Sequence, residues 1–215
     1  GEMELISRKP RAATIKALAE RLRVAGETGS ATTPIRDELP EGDIDAAYAV
    51  QRYGAAPRIA GAEVVELKRF NDDGGSMTEL GRLTAGMHGD LNGFEVRQVN
   101  YSEMEAGAIK AFHLHQRQTD VWFVPPHDKM LLVLHDARVG STTEGVTMRR
   151  VIGDGNSQLV RIPPGVAHGV RNIAQTQGRI VYFVDVQFSP DKQECDEGRL
   201  PWDHLGAEIW EIQRG

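Results

Sequence analysis

PPGVAHGVRN, residues 163–172, reads as a tight Pro-Gly turn that runs into an extended segment carrying His168. Proline presets φ, and glycine accepts the left-handed backbone that such turns use. Upstream, GAIKAFHLHQRQTD (107–120) places His113 and His115 two positions apart. Alternate side chains of a strand share a face. His113 and His115 therefore point together, either into a closed β-structure or out of it.

Working outward, the segments 64–70, 94–102, 110–115, 121–124, 130–138, 147–152, 158–163 and 180–188 each read as short strands. NDDGG (71–75), TTEG (142–145) and GDGN (153–156) separate several of them as glycine-rich turns. Turns at intervals of roughly ten residues predict an all-β sandwich or barrel. The first part differs. Ile15, Leu18 and Leu22 recur at helical spacing, with Lys16, Glu20, Arg21 and Arg23 opposite. GETGSATTP (26–34) breaks that helix, and a second is expected from Asp43 to Gly54. Residues 1–60 thus read as a helical appendage and 61–215 as a β-domain. The tail RLPWDHLGAEIW (199–210) is open between a short helix and an extended arm.

Composition narrows the function. The chain has 215 residues, 40% of them hydrophobic, and a net charge of −6. An acidic chain without clustered cations is a poor partner for nucleic acid. The lone Cys195 excludes an internal disulfide and a cysteine-based zinc site. No apolar run approaches the ~20 residues of a membrane span, and the first residues lack a signal-peptide core. A cytoplasmic protein is the expectation.

The two histidine segments resemble the paired motifs of the cupin superfamily. The first is Gly107, five residues, His113-x-His115, then an acid at Asp120, where that superfamily usually has Glu. The second is Pro163-x-Gly165, two residues, His168, three residues, Asn172. The resemblance implies a double-stranded β-helix, or jelly roll, with a small-molecule site inside. It also implies one possible chemistry. His113, His115, Asp120 and His168 would hold a divalent transition metal, as in a dioxygenase or isomerase.

A second chemistry follows from a closer likeness. FNDDGGSMTE (70–79), VRQVNYS (96–102), GAIKAFHLHQ (107–116), HDARVGSTTEG (135–145), VRIPPGVAHGV (160–170), VYFVDVQFSP (181–190) and LPWDHLGAEIW (200–210) occur in order. Over about residues 66–213 the chain resembles the dTDP-4-dehydrorhamnose 3,5-epimerase family, a metal-free branch of the cupins. That resemblance implies an isomerase without a cofactor, which acts as a homodimer on a 4-keto-6-deoxy sugar nucleotide. His113 falls at the position of the base, Asp203 at its orienting carboxylate, and His168 at the second histidine. Tyr182 matches one of two site tyrosines. Gln98 and Asn100 match the strand that lines the site, and Lys110 stands for a family arginine. The chain departs from the pattern at Gly74, where the family has a phosphate-binding Arg. It also departs at Val121 or Trp122, where the family has Lys, and at Phe188, the position matched to the tyrosine acid. A pocket that binds a sugar nucleotide without turning it over is therefore a third reading. Residues 18–51 look like the opening of 2-keto-4-pentenoate hydratases, whose catalytic body is absent here.

Overall fold

In the computed structural model the described residues are 14–15, 17–22, 58–83, 91, 93–191 and 194–213. The chain divides into two units, Gly1–Pro57 and Arg58–Gly215. In the first, residues 14–15 and 17–22 are helical, and Leu18 and Ala19 are buried. The helix expected from Asp43 lies outside the described residues, as does most of the hydratase-like segment.

The second unit is a jelly roll. Its strands are β1 (Glu63–Glu66), β2 (Arg69–Asp72), β3 (Gly75–Thr78), β4 (Gln98–Met104), β5 (Ile109–His115), β6 (Asp120–Phe123), β7 (Lys129–Asp136), β8 (Thr147–Gly153), β9 (Gln158–Ile162), β10 (Val166–Asn172), β11 (Gly178–Val184) and β12 (Glu197–Arg199). One antiparallel sheet runs β1-β9-β6-β11-β4 and the other β12-β5-β10-β7-β8. β2 and β3 form a separate hairpin.

Strand alternation builds three apolar layers. Between the sheets, Trp122, Val160, Ile162 and Ile180 from one meet Met130, Leu132, Leu134, Val166 and Val170 from the other. On the outer face of the second sheet, Leu131, Val133, Phe112 and Ala167 pack under Trp210. β7 therefore buries both faces, which explains its nearly unbroken apolar run MLLVL. The outer face of the first sheet carries Val121, Phe123, Leu159 and Phe183 beneath Leu67, Leu91 and Phe94. Trp210 sits on a single 3-10 turn, Ala207–Trp210, which is what the tail forms.

Two glycines on β10 and its turn are steric requirements. A Cβ on Gly169 would lie 2.3 Å from the Ala111 Cβ and 2.9 Å from the Trp210 ring. Gly165 has φ +76°, and a Cβ there would meet the Arg138 side chain at 2.4 Å. Asp136 ties this corner together. It is fully buried and accepts from Arg138, Ser141 and Thr143, and Arg138 also donates to the Ala60 carbonyl at 2.7 Å.

The stretch 64–70, read as one strand, is two strands in different sheets. After β1 the chain leaves the ladder at Leu67, whose side chain joins the outer layer, and β2 then pairs only with β3. β4 starts at Gln98 rather than residue 94, because Phe94 turns down onto the outer face of the first sheet.

Candidate active site

The space between the sheets opens into a cavity of about 700 Å³, within the range typical of small-molecule sites. One wall is the second sheet. β5 supplies His113 and His115, β10 supplies His168 and Val170, and β12 supplies Glu197 and Arg199. The facing wall is the first sheet, with Gln98 and Asn100 on β4, Asp120 and Trp122 on β6, and Tyr182 on β11. The 186–189 segment borders the same space. The three histidines thus face inward together, as the i, i+2 spacing allowed. His168 is the ladder partner of His113. The imidazoles form a stack, with His113 6.0 Å and His115 5.5 Å from the His168 ring centre.

Each ring is held differently. His113 Nδ1 lies 2.8 Å from Glu197 Oε1. A carboxylate beside Nδ1 fixes the tautomer with that nitrogen protonated, which leaves the Nε2 lone pair as the base. Burial, followed by the neighbouring His168, pushes the His113 pKa below its ordinary value, and Glu197 acts in the opposite direction. The ring is therefore neutral and able to accept a proton near pH 7.

His168 is deeply buried. Its Nδ1 is 3.1 Å from the Val166 carbonyl, and its Nε2 is 3.4 Å from Asp120 Oδ2. Both ring nitrogens face acceptors. Asp120 also accepts from the Trp122 indole at 3.0 Å and from Gln118 at 2.7 Å. Burial alone would raise the Asp120 pKa. The hydrogen bond and charge of His168, helped by His115 and Gln118, instead hold it at about 2. His115 Nε2 faces the Gln118 amide at 3.3 Å, and its buried Nδ1 has no hydrogen-bond partner, with Asp196 4.0 Å away. Burial lowers its pKa as well.

The expected metal set is regrouped. Among the described residues, His115, Asp120 and His168 bring donor atoms within 4.8 Å of one another. His113 stands outside that group and is engaged by Glu197. Two imidazoles and a carboxylate fit a first-row ion in kind. The Asp120 oxygens, however, already accept from Gln118, Trp122 and His168.

The other expected residues separate into those that reach the cavity and those that do not. Gln98, Asn100, Lys110 and Tyr182 line it. Gln98 donates to Asn100 at 2.8 Å and accepts from the Phe188 backbone N–H at 2.9 Å. Lys110 Nζ donates to Ser102 Oγ at 3.0 Å and to the Glu103 carbonyl at 3.1 Å. Burial, with the negative charges of Asp120 and Glu197, raises the Tyr182 pKa. Asp203 corrects the sequence expectation. It is exposed and absent from the cavity wall. Pro201 starts a turn, closed by His204 N–H to the Pro201 carbonyl, and the Trp202 carbonyl is drawn to the Trp210 indole at 2.8 Å. The strand that reaches His113 ends at Arg199, so its carboxylate is Glu197. Phe188 borders the cavity with 60% of its surface exposed. Val121 is buried in the outer layer, and Trp122 takes the inward position.

Glu197, Arg199 and Gln118 were missed by sequence reasoning. They sit in polar, charged stretches with no alternation to mark a face.

Comparison with known proteins identifies the family. Residues 56–205 match the family dTDP-4-dehydrorhamnose 3,5-epimerase. The spore coat polysaccharide biosynthesis protein SpsL of Bacillus subtilis is 40% identical over 146 residues, which are 67% of this chain and 91% of that protein. The probable low-salt glycan biosynthesis epimerase Agl13 of Haloferax volcanii is 28% identical over 149 residues, 68% of this chain and 90% of that protein. The crystal structure of a dTDP sugar isomerase from Desulfovibrio desulfuricans G20 superposes with a TM-score of 0.59 at 25% identity. It covers 72% of this chain and 91% of that one. With its jelly roll, its inward histidines and a match spanning most of its length, this chain belongs to the dTDP-4-dehydrorhamnose 3,5-epimerase family.

Proposed function

We propose that this protein epimerises a 4-keto-6-deoxy sugar nucleotide at carbon next to the ketone, using only its own side chains. A proton alpha to a carbonyl is acidic enough for a positioned imidazole, because the resulting carbanion delocalises into an enolate. His113 Nε2 takes that proton, and Glu197 keeps the ring oriented and stabilises the cation that forms. His168, paired with Asp120, lies beside His113 and packs against its ring in the wall where the enolate forms. Inversion requires the new proton to arrive from the opposite side. Tyr182 stands on the facing sheet, and its raised pKa keeps the phenol protonated until it is needed.

The observation that carries this reading is the His113–Glu197 contact of 2.8 Å facing Tyr182 across one cavity. The test is solvent exchange. In heavy water, a 4-keto-6-deoxy sugar nucleotide should gain deuterium next to the ketone, and His113→Asn should abolish the gain. If wild-type protein incorporates none across a panel of such substrates, the epimerase reading is wrong. In that case, substrate binding without exchange would leave the non-catalytic pocket in its place.

A second reading has one observation in its favour. The His115–Asp120–His168 cluster would hold a divalent ion. The proton transfers above need none. A homodimer belongs to the same proposal: β4 is the edge of its sheet and exposes Val99 and Tyr101, a surface that pairing would cover. We place the reaction in the cytoplasm, where a lone exposed thiol such as Cys195 stays reduced. Residues 61–215 form the catalytic unit in this reading, and 1–60 an appendage to it.

A further inference from the structure

We propose that Trp210 is a positioning residue for the proton transfer. From outside the cavity it holds the bulge in β5 that aims His113, and it anchors the tail that keeps Glu197 of β12 against that base. Its effect on turnover rests on the sugar-nucleotide reading above, and its effect on the His113–Glu197 pair does not.

The β5–β10 ladder is irregular beside the base. His113 pairs with His168 and Lys110 with Val170, so Ala111 and Phe112 together oppose Gly169 alone. Such a bulge bends its strand and re-aims the neighbouring side chains. Here it directly precedes His113. Trp210 lies over this spot on the outer face of the sheet, buried and away from the cavity wall. Its ring centre is 5.2 Å from that of Phe112, and the absent Cβ of Gly169 leaves it room. The residues it covers, Phe112 and Gly169, are the chain neighbours of His113 and His168.

The same indole anchors the chain beyond β12. That strand has three residues and lies at the sheet edge, too short to hold its place alone. Its leading end is fixed by Asp196, which accepts from the Arg117 and Gln118 backbone N–H groups at 3.0 and 2.8 Å. At its trailing end Leu200 exchanges two backbone hydrogen bonds with Phe112, both 3.1 Å long. The tail then folds back, and the Trp210 indole N–H closes it on the Trp202 carbonyl at 2.8 Å. Arg171 on β10 donates to the Trp210 carbonyl at 2.7 Å, and Arg149 on β8 to the Glu211 carbonyl at 2.5 Å. Glu197 thus meets His113 in the cavity while the tail grips Phe112 from behind. Loss of the ring lets the bulge relax and the pair slip apart, with the substrate contacts intact.

The experiment reads the pair directly and then the reaction. With histidine labelled by nitrogen-15, the His113 Nδ1–H proton should appear far downfield in the wild type and vanish in Glu197→Ala. Trp210→Ala should move that proton upfield or broaden it away. It should also lower kcat for deuterium incorporation about 10- to 100-fold and leave KM within about twofold. Trp210→Phe, which keeps an aromatic ring in the layer, should recover most of both readouts. Phe94→Ala opens a hole on the outer face of the other sheet and should lower the melting temperature without moving either readout. Trp210→Leu keeps apolar fill, should fall between the alanine and phenylalanine variants, and decides the matter if Trp210→Ala does not fold. A wild-type proton signal and wild-type kcat in the deciding variant would overturn the proposal. So would the same losses in Phe94→Ala, or a wild type without the downfield proton. The NMR readout needs no turnover. A protein whose signal depends on Trp210 but which never exchanges deuterium into a sugar sinks the epimerase reading alone. One that exchanges, with signal and kcat indifferent to Trp210, sinks this proposal alone.

Discussion

His113 and Arg199 are direct partners across the β5–β12 ladder, and both donate to the same oxygen, Oε1 of Glu197. That one carboxylate joins the base to the exposed rim of the site. Its position explains why a three-residue strand near the end of the chain matters to chemistry on β5.

Replacement of Glu197 therefore tests the site most directly. Glu197→Gln keeps the shape but removes the charge and permits the wrong imidazole tautomer. The rate of deuterium incorporation should fall about 10²- to 10⁴-fold. Asp203→Asn should leave it within about twofold, since surface changes away from the site rarely matter. A larger loss at Asp203 than at Glu197 would show that the carboxylate assignment is wrong.

Tyr182 separates proton removal from proton return. Tyr182→Phe should still exchange the substrate proton, because His113 remains. Net inversion, read by product stereochemistry, should fall about 100-fold or more. Phe188→Leu, at the exposed border of the cavity, should change inversion little. If Tyr182→Phe inverts at the wild-type rate, the acid is another group.

The sequence made some of this legible and hid the rest for identifiable reasons. His113, His115 and His168 were readable because strand periodicity and a Pro-Gly turn are local properties. β7 was readable from its apolar run, buried on both faces. Glu197 was not, since CDEGR (195–199) is a polar stretch whose strand exists only because it pairs with β5 more than 80 positions earlier. Asp203 looked suitable by order along the chain, but Pro201 and the Trp202–Trp210 contact turn it outward. The break at Leu67 was also invisible, because no glycine, proline or other turn residue marks it while the pairing partner changes.

The acid limb of the pH–rate profile should report His113. Only the neutral ring accepts a proton, so kcat/KM should be flat above the His113 pKa and fall as pH drops through it. Burial and His168 lower that pKa, so the limb should lie below the ordinary histidine value of about 6.5. Loss of activity setting in well above pH 7 on acidification would contradict the neutral-base assignment.

Chelation decides between the two readings of the His115–Asp120–His168 cluster. Protein stripped with a chelator should exchange deuterium at the untreated rate, and His115→Ala should leave its metal content unchanged. Activity lost on stripping and restored by a divalent ion would move that cluster from structural support to metal centre.

Asp120 should contribute to the acid stability of the jelly roll. It is 3% exposed, and its pKa is held at about 2, below the roughly 3.9 of an unfolded chain. A carboxylate depressed on folding adds stability that is complete above the unfolded value and disappears as pH falls through the folded one. The Asp120 contribution, roughly 2 kcal/mol by linkage, should therefore be lost between about pH 4 and pH 2. Asp120→Asn disturbs the acceptor shared by the buried Trp122 indole, Gln118 and His168 and should lower stability at pH 7 by about 1–3 kcal/mol. Thermal melts across that range should show a steeper decline for the wild type than for the variant. Parallel curves would mean that the His168–Asp120 pair does not hold the two sheets together.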